Sequence, residues 1–198
     1  IKDHKDAPIC NMGDTKDQMW IVDNDGNVEN VLIILGPPAG KAFDLKAAKD
    51  VSKGTVEFDQ PHCAFVPHIV ALWPDAQTLV SKNSSKVNHN TKVVAGPLLG
   101  GTKDLLIPPG GKEEINYKNV TTENLLNVEC NVHNWMSARV ALFPHPYFAR
   151  TNSKGEFEIK NVPVDVELTV YKWHESMGDL KSKVEEKKMS FKKGDNDL

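Results

Sequence analysis

The sequence has few cysteines and no long apolar run. Its 198 residues include 3 cysteines, which excludes a dense disulfide framework as the main source of stability. No stretch of about 18 consecutive apolar residues is present, so we expect no membrane span. A chain of this length can bury the core of one large domain or two small ones, without help from metals or many disulfides.

The charge balance argues against nucleic acid as a partner. The 24 basic and 27 acidic residues give a net charge of -3, and they are mixed along the chain instead of forming a basic face. The Lys-rich end from Lys181 is interrupted by acids, which predicts a solvated last strand and tail. The start at Ile1 shows no signal-peptide pattern, so we expect such a peptide to have been removed or never present.

Short runs of β-branched and aromatic residues predict a fold made of strands. Turn signals rich in Gly, Pro, Asn and Asp separate these runs, as in DNDGN and PPGGK. Many short strands separated by such turns are typical of a β-sandwich or barrel. The one candidate helix is Ala42 to Asp50. The predicted strands are 30–35, 55–58, 68–73, 78–82, 125–129, 137–142, 156–159 and 166–173.

A cluster of soft ligands stands out at Cys130, His133 and Met136. A thiolate, an imidazole and a thioether suit soft or borderline metals, and the Met favours copper over zinc. A type 1 copper site needs a second imidazole, which must come from elsewhere in the chain. His89 lies in a polar loop after the strand 78–82, about forty residues before Cys130, which allows a separate strand to bring it to this cluster. The alternatives are a different metal or a loop without metal. The other histidines are His4, His62, His68, His145 and His174.

The pair His89-Asn90 followed by C-x2-H-x2-M resembles the cupredoxin family, with the short ligand spacing of amicyanin-type proteins. The stretches FDQPHCAFVPHIVAL and NVECNVHNWMSARVALFPHPYFA resemble a bacterial methylamine-utilization-like group of cupredoxins. The resemblance implies one copper ion per chain, with His89 and His133 as imidazole ligands, Cys130 as thiolate and Met136 as axial thioether. It also implies that Asn90 hydrogen-bonds across to the Cys130 loop.

Three further residues have an expected role. Trp135 lies between two ligands and either packs against the barrel end or joins an apolar rim on which a partner docks. Outside the cytoplasm, Cys10 and Cys63 could pair in a disulfide, and two unrelated buried thiols are the alternative.

A second module is indicated near the two ends of the chain. NVENVLIIL from Asn27 and TNSKGEFEIKNVPVDVELTVYKW from Thr151 resemble the transthyretin-like or carboxypeptidase-regulatory-like β-sandwich, although Val164 and Asp165 replace the usual Gly after the proline. We therefore expect an all-β chain with a Greek-key cupredoxin sandwich or barrel at 51–144. It would be inserted in, or packed on, a small Ig-like sandwich formed by 1–50 with 145–198.

The resemblance implies a protein that carries single electrons between redox partners, such as a c-type cytochrome or an oxidoreductase, in the periplasm or elsewhere outside the cytoplasm. The alternatives are a copper carrier or sensor, and a structural β-protein. We expect no enzyme activity, because the sequence shows no nucleophile with a base, no paired acids and no phosphate loop.

Overall fold

The regular secondary structure of the chain is almost entirely β, which confirms the predicted fold class. The structure is a computed structural model that describes residues 1–46, 48 and 52–198. A short helix, α1, spans Ala7–Cys10, and 3₁₀ turns span Pro97–Leu99, Glu175–Met177 and Leu180–Ser182. The strands are β1 (Leu32–Gly36), β2 (Gly54–Asp59), β3 (Ile69–Leu72), β4 (Gln77–Lys82), β5 (His89–Val94), β6 (Lys103–Ile107), β7 (Lys112–Ile115), β8 (Asn124–Glu129), β9 (Ser137–Leu142), β10 (Phe148–Arg150), β11 (Glu167–Trp173) and β12 (Val184–Ser190).

The chain divides into two compact units. The first unit contains Ile1–Gln18 and Lys53–Pro144, and the second contains Met19–Ser52 and His145–Leu198. The N-terminal 18 residues therefore belong with the middle of the chain, whereas the sequence placed all of 1–50 with the C-terminal segment. The predicted boundary between residues 50 and 51, and part of the predicted helix Ala42 to Asp50, lie outside the described residues.

The first unit is a sandwich of two sheets. One sheet has the order β2-β4-β7 and the other β3-β9-β8-β5-β6. The pairs β2–β4 and β3–β9 are parallel, and the other pairs in these sheets are antiparallel. Apolar side chains from both sheets meet in one buried cluster, which includes Phe58, Leu79, Val128 and Val140. This shared core is what holds two sheets face to face.

A buried polar group also links the two sheets of this unit. The side-chain amide of Gln60, which is fully buried, donates to Thr91 Oγ1 on β5 at 3.1 Å. The Thr91 hydroxyl lies 2.7 Å from that of Ser81 on β4. Buried polar groups with partners of this kind avoid the cost of desolvation and fix the position of β5 against β4.

The second unit contains a four-stranded antiparallel sheet of order β10-β1-β11-β12. The predicted strand at 156–159 is wrong, because the structure gives this segment no strand. The strand β11 pairs with β1 along one edge and β12 along the other, so neither edge is open to a further strand. The residues before that segment form a turn in which Asn152 Oδ1 accepts the Lys154 and Glu156 N–H groups.

No helix among the described residues is long and apolar enough to span a membrane.

A disulfide joins Cys10 at the end of α1 to Cys63, in the segment between β2 and β3. The two sulfur atoms are 2.09 Å apart, and both residues are buried. This bond explains why the N-terminal segment belongs to the first unit. Its partners are 53 residues apart in sequence, so it removes much of the freedom of the unfolded chain.

We predict that replacing both cysteines, as Cys10→Ser with Cys63→Ser, lowers the free energy of unfolding of the first unit by about 4 kcal/mol in the chain-entropy model. Urea unfolding followed by circular dichroism measures the loss. Reducing the disulfide of the wild-type chain should produce a comparable fall in the urea midpoint. An unchanged midpoint in both experiments would contradict the prediction.

Candidate metal centre

Strand β8 delivers Cys130 into the core of the first unit. Side chains alternate between the two faces of a strand, and Leu126 and Val128 on β8 point into the buried cluster. Cys130 follows directly after the strand, keeps the same alternation and is 2% exposed. Its thiol is the one free cysteine among the described residues.

Strand β5 places His89 beside this thiol. The two strands are antiparallel, with Val93 opposite Val128, and His89 is the first residue of β5 and fully buried. The sequence predicted a polar loop here, which is wrong. The error arises because His89, Asn90 and Thr91 are buried polar residues, so the strand lacks the apolar alternation that would have revealed it.

The loop between β8 and β9 supplies the next two predicted ligands. The strands remain paired up to Glu129 opposite Ser137, so residues 130–136 form the closed end of a hairpin. Within this loop the Met136 N–H donates to the His133 carbonyl oxygen at 2.9 Å. His133 and Met136 are both buried, and the hairpin therefore turns them inward.

Three donor atoms converge at this point. Cys130 Sγ lies 4.0 Å from His89 Nδ1 and 3.9 Å from His133 Nδ1, and the two nitrogens are 3.0 Å apart. A point equidistant from atoms with these separations is about 2.1 Å from each, close to the bond lengths of about 2.0 to 2.3 Å between a metal such as zinc and nitrogen or sulfur. The donor set therefore fits one borderline metal ion.

Two other sets of side chains share His133, but neither contains a free thiol. Cys10 and Cys63 come within reach of His133, yet their sulfurs are bonded to each other. His4 and Asp6 also come within reach of His133, but this set contains no thiol, and Asp6 Oδ2 already lies within hydrogen-bond distance of His133 Nε2, at 3.1 Å. The set formed by His89, Cys130 and His133 therefore remains the best candidate.

The thioether of Met136 belongs to the same buried cluster as Cys130. This location suits a residue that approaches the three donors from the core side, and its axial role stays a prediction.

Burial keeps both imidazoles neutral. Burial, together with the neighbouring His133 as a second potential cation, lowers the pKa of His89 to about 4. Burial also lowers the pKa of His133, although the hydrogen bond to Asp6 opposes this effect. Neutral imidazoles have the unshared electron pair that a metal ion requires, so both residues are ready to bind at neutral pH.

Asn90 connects the two segments that carry the ligands. Its backbone N–H points at Cys130 Sγ, 3.4 Å away, and its side-chain oxygen accepts the backbone N–H of Asn131. The carboxylate of Asp104 on β6 accepts hydrogen bonds from the side-chain amides of both Asn90 and Asn131. Sequence reasoning missed Asp104, because only the pairing of β5 with β6 brings it near.

Trp135 lies beside His133, with the two ring centres 5.1 Å apart. Its side chain is partly buried and packs against the core cluster. A role in partner docking stays a prediction.

The N-terminal segment covers the outer edge of His133, which sequence reasoning missed. Asp6 Oδ2 is 3.1 Å from His133 Nε2, and the ring of His4 is centred 4.9 Å from that of His133. Cys63 Sγ lies 3.9 Å from the same nitrogen. A pairing of Cys10 with Cys63 indicates that residue 6 is near residue 63, but nothing in the sequence indicates that residue 63 is near His133.

Comparisons with known proteins give only distant likenesses. No protein-family model and no curated protein matches the sequence. A copper-containing nitrite reductase from Thermus scotoductus SA-01 is 15% identical with a TM-score of 0.39, over 54% of this chain and 25% of that one. A purple cupredoxin from Nitrosopumilus maritimus is 15% identical with a TM-score of 0.35, over 43% and 97%. An oxidised amicyanin variant is 16% identical with a TM-score of 0.39, over 47% and 86%.

These identities and TM-scores do not establish the family of this chain. The chain also spans only a quarter of the length of the nitrite reductase.

His145 lies outside the candidate centre, in the second unit. Its Nδ1 accepts the Tyr147 N–H at 3.2 Å, and its ring meets that of Phe43 edge-on at 4.9 Å. Burial lowers its pKa to about 4, and the positive charge of Lys183 contributes to the shift. This histidine is therefore neutral at neutral pH and serves as a structural acceptor.

We predict that Asn90→Ala destabilises the apoprotein by about 1 to 3 kcal/mol, because it leaves the partly buried Asn131 N–H without its acceptor. Urea unfolding of the metal-free chain measures the loss. Asn124→Ala is the matched control, since its side-chain amide makes an exposed bond to Thr122 and its removal should cost less than about 0.5 kcal/mol. Equal effects of the two substitutions would contradict the role of Asn90.

We predict that His145 makes the second unit less stable as the pH falls from about 6.5 to 4. The unfolded chain binds a proton in this window and the folded chain does not, so the free energy of unfolding falls by up to about 3 kcal/mol. His145→Asn keeps an acceptor for the Tyr147 N–H but cannot titrate, and urea midpoints across this pH range should therefore fall less. A variant that follows the wild-type pH dependence would refute the assignment.

Proposed function

We propose that this chain is a mononuclear type 1 copper protein that carries single electrons between redox partners. The observation that supports it best is the convergence of two neutral imidazoles and one thiol at separations that fit a single metal ion. His89, Cys130, His133 and Met136 would hold the copper, whose ligand set of two imidazoles, one thiolate and one thioether is that of a type 1 site.

Bound copper supplies a one-electron Cu(I)/Cu(II) couple. The protein's contribution is to hold the donors at fixed separations in both oxidation states. Two of the donors follow from the pairing of β5 with β8, and the hairpin between β8 and β9 carries the third. Asn90 ties these segments together. A site that changes little between states exchanges electrons with little reorganisation.

Burial favours electron transfer over the other functions. Each of the four proposed ligands is at most 3% exposed, whereas a carrier that delivers copper needs donors that another chelating group can reach. A metal enzyme, likewise, keeps a coordination position open to its substrate. We therefore propose that the protein is neither a copper chaperone nor itself an enzyme.

The Cys10–Cys63 disulfide supports a location outside the cytoplasm, such as the periplasm, because reducing compartments keep thiols unpaired. The partners would be redox proteins, such as a c-type cytochrome or an oxidoreductase.

We further propose that the second unit is a carboxypeptidase-regulatory-like β-sandwich. The two stretches that carry this resemblance contain β1 and β11, which are neighbours in its sheet, with Leu32 opposite Trp173.

We predict that the protein loaded with Cu(II) shows an intense visible band from thiolate-to-copper charge transfer, which ascorbate bleaches. Cys130→Ser and His89→Gln should abolish the band, because each removes one of the proposed copper ligands. Absorption spectroscopy and copper analysis measure both effects. His62→Gln is the matched control, since His62 belongs to the same unit but not to the donor set.

A colourless wild-type protein that takes up zinc but no copper would overturn the proposal. A coloured protein that gives its copper to a small chelator within seconds would support the carrier function instead. Slow transfer to the chelator, with rapid reduction and reoxidation, is the result that we expect.

A further inference from the structure

The N-terminal segment makes a specific contact with the edge of His133 that faces away from Cys130. The His133 Nδ1 atom faces the other two donors, and its Nε2 atom faces Asp6 Oδ2 at 3.1 Å. With His4, Cys63 and Trp135 also nearby, the ring has no exposed surface. The only carboxylate that the described residues bring to this ring as a hydrogen-bond partner is therefore that of Asp6.

Asp6 is placed for this contact by its local structure. It stands at the N-cap of α1, where an Asp side chain commonly accepts a hydrogen bond from the helix backbone. Here it makes no such bond, and the carboxylate turns towards His133 instead. Its backbone N–H donates to His4 Nδ1, and its carbonyl oxygen accepts the Ile9 and Cys10 N–H groups. The disulfide at Cys10 then fixes α1 to the first unit.

An ionised carboxylate can only accept hydrogen bonds, so the shared proton belongs to His133 Nε2. The other ring nitrogen, Nδ1, then keeps its unshared pair and directs it towards Cys130 and His89. In metal sites, a carboxylate in this position fixes the tautomer and the orientation of the imidazole and makes it a more basic ligand.

We propose that Asp6 is a positioning residue that holds His133 in the tautomer and orientation needed for metal binding and stabilises the higher oxidation state of the bound copper. This inference rests on the proposed copper site for its redox consequence, but its tautomer consequence does not require a metal. The N-terminal segment is thus part of the site, connected to it through the Cys10–Cys63 bond.

The first experiment uses metal-free protein with 15N-labelled histidine. Two-bond 1H–15N correlation spectra should show His133 with a proton on Nε2 and none on Nδ1 in the wild type. Asp6→Ala should give a mixture of the two tautomers. Asp3→Asn is the matched control, because Asp3 is an exposed acid of the same segment, and it should leave the spectrum unchanged. A wild-type proton on Nδ1 would overturn the proposal, whether or not the protein binds copper.

The second experiment uses the copper-loaded protein. A more basic imidazole favours Cu(II), so Asp6→Ala should raise the reduction potential and release Cu(II) faster, with an affinity loss of about 10-fold to 100-fold. Asp6→Asn keeps the size of the side chain and an acceptor oxygen but removes the charge, and we expect an intermediate shift. Asp3→Asn removes the same charge at an exposed site, and it should change the reduction potential less than Asp6→Ala or Asp6→Asn does.

The outcomes separate the two proposals. A coloured copper site whose potential and copper release are the same in Asp6→Ala and Asp3→Asn would refute the role of Asp6 and leave the copper function standing. A protein that binds no copper would refute the function, and the tautomer experiment would still decide the role of Asp6. If Asp6→Ala detaches the N-terminal segment, the isosteric Asp6→Asn supplies the comparison.

Discussion

The antiparallel pairing of β5 with β8 is the contact on which the candidate centre depends. It joins segments about forty residues apart in the sequence, with Val93 opposite Val128, and thereby places His89 beside Cys130. His89 begins β5 and Cys130 directly follows β8, and both point into the core because side chains alternate along an extended chain. The hairpin that continues from β8 to β9 adds His133 and Met136 without needing any other long-range contact.

Around this pairing, a series of polar contacts restricts how far the donors can move. Asn90 accepts the Asn131 N–H, and Asp104 accepts from both side-chain amides. On the opposite side, Asp6 accepts from His133. Except for the exposed bond from Asn131 to Asp104, these bonds lie in partly buried surroundings, where an unpaired group would be costly. The donors are therefore held from two opposite sides by these polar contacts.

Much of the candidate centre follows from the order of residue types. The spacing of Cys130, His133 and Met136 indicated a loop that could bind a soft or borderline metal. The resemblance to the cupredoxin family added His89 and Asn90. The strands around them were predicted where apolar residues alternate, as in β8 and β9. The prediction missed β6, β7 and β10. It also failed for β5, whose inward face carries His89 and Thr91, and for residues 156–159, where β11 already has a partner on each edge.

The sequence by itself determined the all-β fold class and the kinds of donor available, because strand periodicity and ligand chemistry are local properties of the chain. The tertiary structure decided how far apart the donors lie and what surrounds them. Asp6 lies near the centre because the Cys10–Cys63 disulfide holds its segment there, and Asp104 because β6 pairs with β5. Such contacts join residues that are distant in sequence, and no local pattern of residue types shows which of them will meet in space.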